Sequence, residues 1–160
     1  MKHLFLVMIL FASTLCNAAS SDKDNDVVYF GNNAENNKGK NEMETNKIKI
    51  TVNSQTFMAT LADNKSAKAF QEILPLTIKM VDLHKNEKYY DLPKSLPANS
   101  SNPGTIQNGD LMLYGSRTLV LFYKTFSTSY SYTRLGKVDN PAGLASALDS
   151  GNVTVTFELQ

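Results

Sequence analysis

The apolar positions of this chain fall into two periods, and the change of period along the sequence draws most of its map. From residue 47 onward Ile48, Ile50 and Val52 alternate with Lys47, Lys49 and Thr51, the period of a half-buried strand. Asn53-Ser54 offers a tight turn, and Phe57, Ala59 and Leu61 mark one face of a returning strand. Asp63-Asn64 can cap a helix whose stripe is Ala67, Phe70, Ile73 and Leu74, and Pro75 closes it. Residues 76–83 read as a strand, the Lys85-Asn86-Glu87-Lys88 run as a charged turn, and 89–92 as a further strand. Pro93, Pro97, Pro103 and Gly104, set among serines and asparagines, make 93–107 a long surface loop.

The last third is the richest in strands. Residues 111–114 and 118–123 are apolar on both faces, as expected of barrel strands partly covered by a helix, with Gly115-Ser116 as their turn. Residues 126–131 form a loop of aromatics and hydroxyls, and 132–138 another strand. Pro141 starts a short helix with Leu144 and Leu148 facing the core. Val153, Val155, Phe157 and Leu159 then alternate with Thr154, Thr156 and Glu158. The expected fold is mostly β: a closed or nearly closed barrel of about eight strands with two short helices. Closure removes the exposed edges that an open sheet must protect.

The N-terminus changes the picture of where such a barrel works. Met1-Lys2-His3 is a small basic head, residues 4–12 are apolar, and 13–19 turn small and polar. An apolar run this short cannot span a hydrocarbon core that needs about 20 residues. It reads as a secretory signal over 1–19, cleaved after Ala18 or Ala19, which makes the protein exported, periplasmic or secreted. Cys16 supports a competing reading, a lipidated cysteine that anchors the protein. That motif wants a small residue directly before the cysteine and an aliphatic one three before, where Leu15 and Ser13 stand. Residues 20–46 are rich in Asn, Asp, Glu and Lys and read as a disordered tether, with Val27 to Phe30 able to dock as an edge strand. The barrel domain is then 47–160.

Charge and residue types exclude several chemistries. The chain has 16 basic and 15 acidic residues, and Lys2 leaves with the signal, which balances the remainder. Nucleic acid is therefore not the expected partner, since phosphate binding draws on clustered Lys and Arg. Once Cys16 and His3 are removed, no thiol remains and His84 is the one histidine. No metal and no cofactor is expected from such a set. Asp22, Asp24 and Asp26 alternate like a calcium loop, but Val27 replaces its glycine and Asn33 its final glutamate. His84 beside the charged turn reads as an exposed strand end.

Two motifs carry a resemblance. The first is a strand ending Leu135-Gly136-Lys137-Val138, followed by a short helix and a closing strand. The second is Gly109-Asp110 leading to Tyr114, then Leu121-Phe122-Tyr123. This order resembles the cyclophilin barrel and, more closely, the bacterial cyclophilin-like domain family, most of whose members have no assigned activity. The likeness covers about 47–159 and is most specific over 109–138. Cyclophilins twist a prolyl peptide bond, whose barrier is about 18–20 kcal/mol, with an arginine from a Phe-His-Arg strand beside a Gln-rich Gly-Gly-Asp segment. Here 76–83 holds no arginine; Arg117 and Arg134 are the chain's two. Gln107-Asn108-Gly109-Asp110 echoes the second segment but reads as a turn into a strand.

The resemblance thus implies the barrel without the isomerase site, and the expected function is a non-catalytic module binding a peptide or small ligand. In cyclophilins the strand matching Phe122 and Tyr123 supplies an aromatic to the proline pocket, so these two, with Tyr114, are candidate contacts. Phe126, Tyr130 and Tyr132, interleaved with Ser127, Thr128, Ser129 and Ser131, suit peptide or glycan contacts. Arg117 or Arg134 near that surface would grip a carboxylate or carbonyl. Each aromatic also has a purely structural reading, in the barrel core or covering its end. A divergent prolyl isomerase or foldase, and an accessory module for a flavodoxin-like redox partner, are the alternatives.

Overall fold

The computed structural model describes residues 46–148 and 151–160. The signal, Cys16, the 27–30 segment and the tether up to residue 45 lie outside the described residues. Eight antiparallel strands close into a barrel in the order β1-β10-β3-β4-β7-β6-β9-β2. These are β1 (Lys47–Val52), β2 (Gln55–Leu61), β3 (Leu76–Leu83), β4 (Glu87–Asp91), β6 (Asp110–Tyr114), β7 (Thr118–Phe122), β9 (Thr133–Val138) and β10 (Val153–Leu159). A separate two-stranded sheet pairs β5 (Thr105–Ile106) with β8 (Phe126–Ser127). Two helices, α1 (Lys65–Gln71) and α2 (Leu144–Leu148), complete the domain. Among the described residues no helix is long and apolar enough to cross a membrane.

Local chemistry accounts for the turns and caps. Val52 pairs with Gln55, so Asn53-Ser54 is a two-residue turn, and Asn53 takes a positive φ of 54° that asparagine tolerates. Asn64 caps α1, its side chain accepting from Ala67 N at 2.8 Å. The helix is shorter than its apolar stripe predicts. It ends at Gln71, and Ile73 lies beyond it, 40% exposed. Phe70 is fully buried and meets Phe157 edge-on at 5.7 Å, which fixes α1 to the barrel interior.

Each strand sends alternate residues inward, and the main core holds Ile48, Ile50, Val52, Leu111, Leu113, Leu119, Leu121, Val155 and Phe157. The strands β6 and β7 are apolar on their outer face as well, where Met112, Val120 and Phe122 form a second cluster with Ile106 and Tyr132. The expected cover there was a helix. The actual cover is the β5–β8 sheet and the chain that follows it, whose aromatics bury the outward side of β6 and β7.

The Lys85-Asn86-Glu87-Lys88 run also departs from a solvated turn. The turn is made one residue earlier, with His84 and Lys85 at φ 52° and 56°, and Glu87 and Lys88 open β4. Glu87 is 9% exposed and Lys88 fully buried.

Candidate functional site

A groove of about 540 Å³ opens on the outer face of the barrel. Pairing builds its floor. Glu87, Tyr89 and Asp91 share the outward face of β4 and stand opposite Phe122, Val120 and Thr118 of β7. Thr118 in turn pairs with Tyr114, and Val120 with Met112, on β6. The far wall runs from Phe126 to Tyr132, and the turn residues Leu83, His84 and Asn86 close the near end. This volume falls in the range of ordinary ligand sites.

Backbone hydrogen bonds and short side-chain caps hold the wall in place. Thr128 N donates to Gly104 O at 2.9 Å, Tyr132 N to Ser101 O at 3.0 Å, and Tyr130 N to Thr128 Oγ1 at 3.1 Å. Its rings touch in series. Tyr130 meets Tyr114 edge-on at 6.2 Å, Tyr114 meets Tyr132 at 5.6 Å, Tyr132 meets Phe122 at 5.4 Å, and Phe122 meets Phe126 at 5.8 Å. The buried end of this ladder anchors the exposed end, where Tyr114 and Tyr130 are 47% and 62% exposed. Edge-to-face contacts of this kind add about 0.5–1.5 kcal/mol beyond area burial.

Glu87 gives the groove its electrostatic character. Its carboxylate has no hydrogen bond or ion pair among the described residues. Burial, with a smaller push from the charge of Asp82, raises its pKa from 4.5 to about 7. Burial, and next the Glu87 charge, likewise raise the Tyr132 hydroxyl. Asn86 Oδ1, on the neighbouring residue, is a buried acceptor without a partner among the described residues. Asp91 is exposed and accepts from Thr118 Oγ1 at 2.6 Å. Among the lining residues there is no lysine or arginine.

The opposite side of β4 carries a structural network. Lys88 Nζ points away from the groove, to Asp82 Oδ1 and to Gly151 O at 2.6 Å, with the Tyr123 ring 5.2 Å away. Tyr123 hydroxyl donates to Asp82 Oδ1 at 2.6 Å. These bonds hold the Asp82 carboxyl below its ordinary range, the Lys88 ammonium contributing most and Tyr123 next.

The sequence-derived site residues therefore divide. Tyr114, Phe126, Tyr130 and Tyr132 line the groove together, and Phe122 lies beneath it, fully buried. Tyr123, 1% exposed, faces the barrel core. Arg117 turns its Nε to Leu92 O at 3.0 Å, outside the groove. Arg134 lines a separate polar depression with Asn64, Asn99 and Thr133, and its Nη1 is 3.7 Å from the buried Asp110. Asp110 shapes a turn, its Oδ2 accepting from Gln107 N at 2.8 Å, so the Gln-Asn-Gly-Asp run leads into β6 as its composition suggests. Sequence reasoning missed Glu87, Asn86 and Tyr89. The signal was the spacing of Glu87, Tyr89 and Asp91 at period two, once the turn is moved to 84–86. His84 lies at the groove's end, exposed.

The family model described as "Cyclophilin-like family" matches residues 50–158. The chain belongs to the cyclophilin-like family. No curated protein matches it. Among solved structures it is similar to a hypothetical protein from Archaeoglobus fulgidus, solved in solution, at 15% identity and a TM-score of 0.51. That match covers 71% of this chain and 94% of the other. At that identity the likeness is one of fold alone, and the cyclophilin-like barrel is what the two share. Among the described residues no group of three or more His, Cys, Asp or Glu side chains is placed to hold a metal.

Proposed function

We propose that this cyclophilin-like domain is a binding module that takes a peptide segment or small ligand in its outer groove and does not catalyse prolyl isomerisation. The observation that carries the reading is the built aromatic and hydroxyl wall over an apolar floor, with both arginines placed elsewhere. Aromatics offer large contact area at low entropic cost, and the hydroxyls of Ser127, Thr128 and Ser129 supply adaptable hydrogen bonds. Isomerisation instead wants a fixed cationic donor at the proline nitrogen, a group the groove's lining does not contain.

Two measurements on the full chain test this. In a prolyl-peptide assay the expected rate is the uncatalysed one; strong catalysis that a groove or arginine substitution abolishes overturns the reading in favour of an isomerase. In an NMR screen of capped peptides, perturbed amides should cluster at Tyr89, Tyr114 and residues 127–132. Clustering anywhere else assigns binding to another face.

The module works outside the cytoplasm on the reading of residues 1–19 as a signal. Intact mass of the protein from its native host should place the new N-terminus at Ala19 or Ser20. A lipid-modified Cys16 in that position replaces the free form with an anchored one.

A further inference from the structure

The groove holds a buried carboxylate and an unpartnered amide oxygen at its closed end, with no lysine or arginine among its lining residues. Glu87 is nine-tenths buried, lines the groove, and has no cation or donor among the described residues. Beside it Asn86 Oδ1 is buried and equally unpartnered. Native proteins seldom leave such groups unmatched, because each costs its full desolvation. Lys88, the next residue along β4, is committed to Asp82 and Gly151 on the other face of the strand. The same groove is lined by Tyr89, Tyr114, Tyr130, Tyr132 and Phe126, and aromatic ring faces attract positive charge.

From this arrangement we infer that the ligand is an organic cation, a lysine side chain of a peptide or a free alkylamine, whose ammonium group donates to Glu87 and Asn86 between the tyrosine rings. The inference rests on the groove being the binding site. An ammonium group brings three donors and a positive charge, which matches a buried carboxylate that no lysine or arginine of the lining balances. An anionic ligand would meet Glu87 and Asp91 with no cation to balance them.

Titratable groups surround the site on every neighbouring element. These are Asp82 from β3, His84 from the turn, Tyr89 and Asp91 from β4, Tyr114 from β6, Tyr130 from the wall and Tyr132 beside β9. With Glu87 titrating near 7, its carboxylate is mostly neutral at pH 6.0 and mostly ionised at pH 8.5. Cation binding should therefore strengthen with rising pH.

The test titrates the full chain with four probes, following groove amides by NMR. They are capped Ala-Lys-Ala, the same peptide with Nε-acetyl-lysine, capped Ala-Glu-Ala, and n-butylammonium. The lysine peptide should bind wild type at least fivefold tighter than its acetylated form, and about tenfold tighter at pH 8.5 than at pH 6.0. Glu87→Gln should flatten that pH profile and erase the preference, while Glu158→Gln, on β10 outside the groove, retains both. Equal binding of butylammonium and the lysine peptide supports a free amine, and peptide-only binding supports a chain segment; both support a cation. If the acetylated or glutamate peptide binds as well as the lysine peptide, or if Glu87→Gln changes nothing, the cation inference fails and the groove reading stands. If none of the four probes perturbs the groove at either pH, both fail.

Discussion

The Lys88 ammonium lies 5.2 Å from the centre of the Tyr123 ring, and both side chains converge on one oxygen of Asp82. Lys88 is wholly out of solvent, so its charge is tolerated only because a carboxylate, a carbonyl and a ring face surround it. Removing one member of such a set leaves the others desolvated and unmatched. Lys88→Ala is expected to lower unfolding free energy by about 3–5 kcal/mol. Tyr123→Phe, which deletes one hydrogen bond to an ionised group, should cost about 1.5–3 kcal/mol. Urea unfolding of the two variants beside wild type checks both values, and the reverse ranking would show that the network is not what stabilises this end of the barrel.

The neighbouring carboxyl acts in the opposite sense. Glu87 is raised from 4.5 to about 7 in the folded protein, so between those values the native state keeps a proton that the unfolded chain releases. Stability contributed by that neutral carboxyl is complete below pH 4.5 and is lost as pH rises through 7. The loss is at most roughly 3 kcal/mol, reduced by water in the groove. Asp82, whose pKa is depressed, works in the lower window: its contribution is present above its ordinary value of 3.8 and disappears as pH falls through the folded value. Unfolding free energy measured from pH 4 to 9 should decline across pH 4.5–7 in wild type and stay level in Glu87→Gln, which should be the more stable protein at pH 8. A wild-type curve that rises over that interval would contradict the burial of Glu87.

How much of this was readable in the residues depends on whether the deciding contact was local. Strands β1, β2, β3 and β10 were legible to the residue, or nearly so, because their alternation is set by one buried face. The barrel followed from element order, and the cyclophilin-like match supports it. Three aromatics of the groove, Phe126, Tyr130 and Tyr132, were legible because they interleave with hydroxyls in a short segment, and Tyr114 came from the family resemblance. Glu87 was not. A glutamate between Asn86 and Lys88 looks solvated, and what buries it is a chain segment some forty residues later, folded over β4 and β7. Tyr123 shows the same limit. Its adjacency to Phe122 suggested a shared pocket, but successive strand residues face opposite sides, so one supports the groove and the other the interior.

Gly136 is a test of the barrel seam. A Cβ at this position would stand 2.6 Å from Thr60 O and 3.1 Å from Leu61 Cα, both backbone atoms of β2, which pairs with β9 through Leu61 and Gly136. Backbone cannot yield as a side chain can, so Gly136→Ala must push the two strands apart. The expected cost is about 1–3 kcal/mol, the range for overpacking. Hydrogen exchange should locate the loss at Ala59, Thr60 and Leu61. Unchanged protection there would show that the seam has slack.

The aromatic ladder separates binding from stability within one set of rings. Phe122 is fully covered and touches both Tyr132 and Phe126, so Phe122→Ala empties the outer cluster and should cost about 3–5 kcal/mol. Tyr130 is 62% exposed, and among the described residues its ring neighbour is Tyr114. Tyr130→Ala should therefore change stability by no more than about 1 kcal/mol, yet it removes the outermost ring from the groove wall. For the lysine peptide at pH 8.5 this variant should bind several-fold more weakly with a thermal midpoint close to wild type. Tyr114→Ala removes the ring that links Tyr130 to Tyr132 and should weaken binding further, because Tyr130 then loses its support as well as its partner. If Tyr130→Ala and Tyr114→Ala both bind like wild type while Phe122→Ala alone is defective, the rings are packing for the outer face of the barrel and the ligand is held elsewhere.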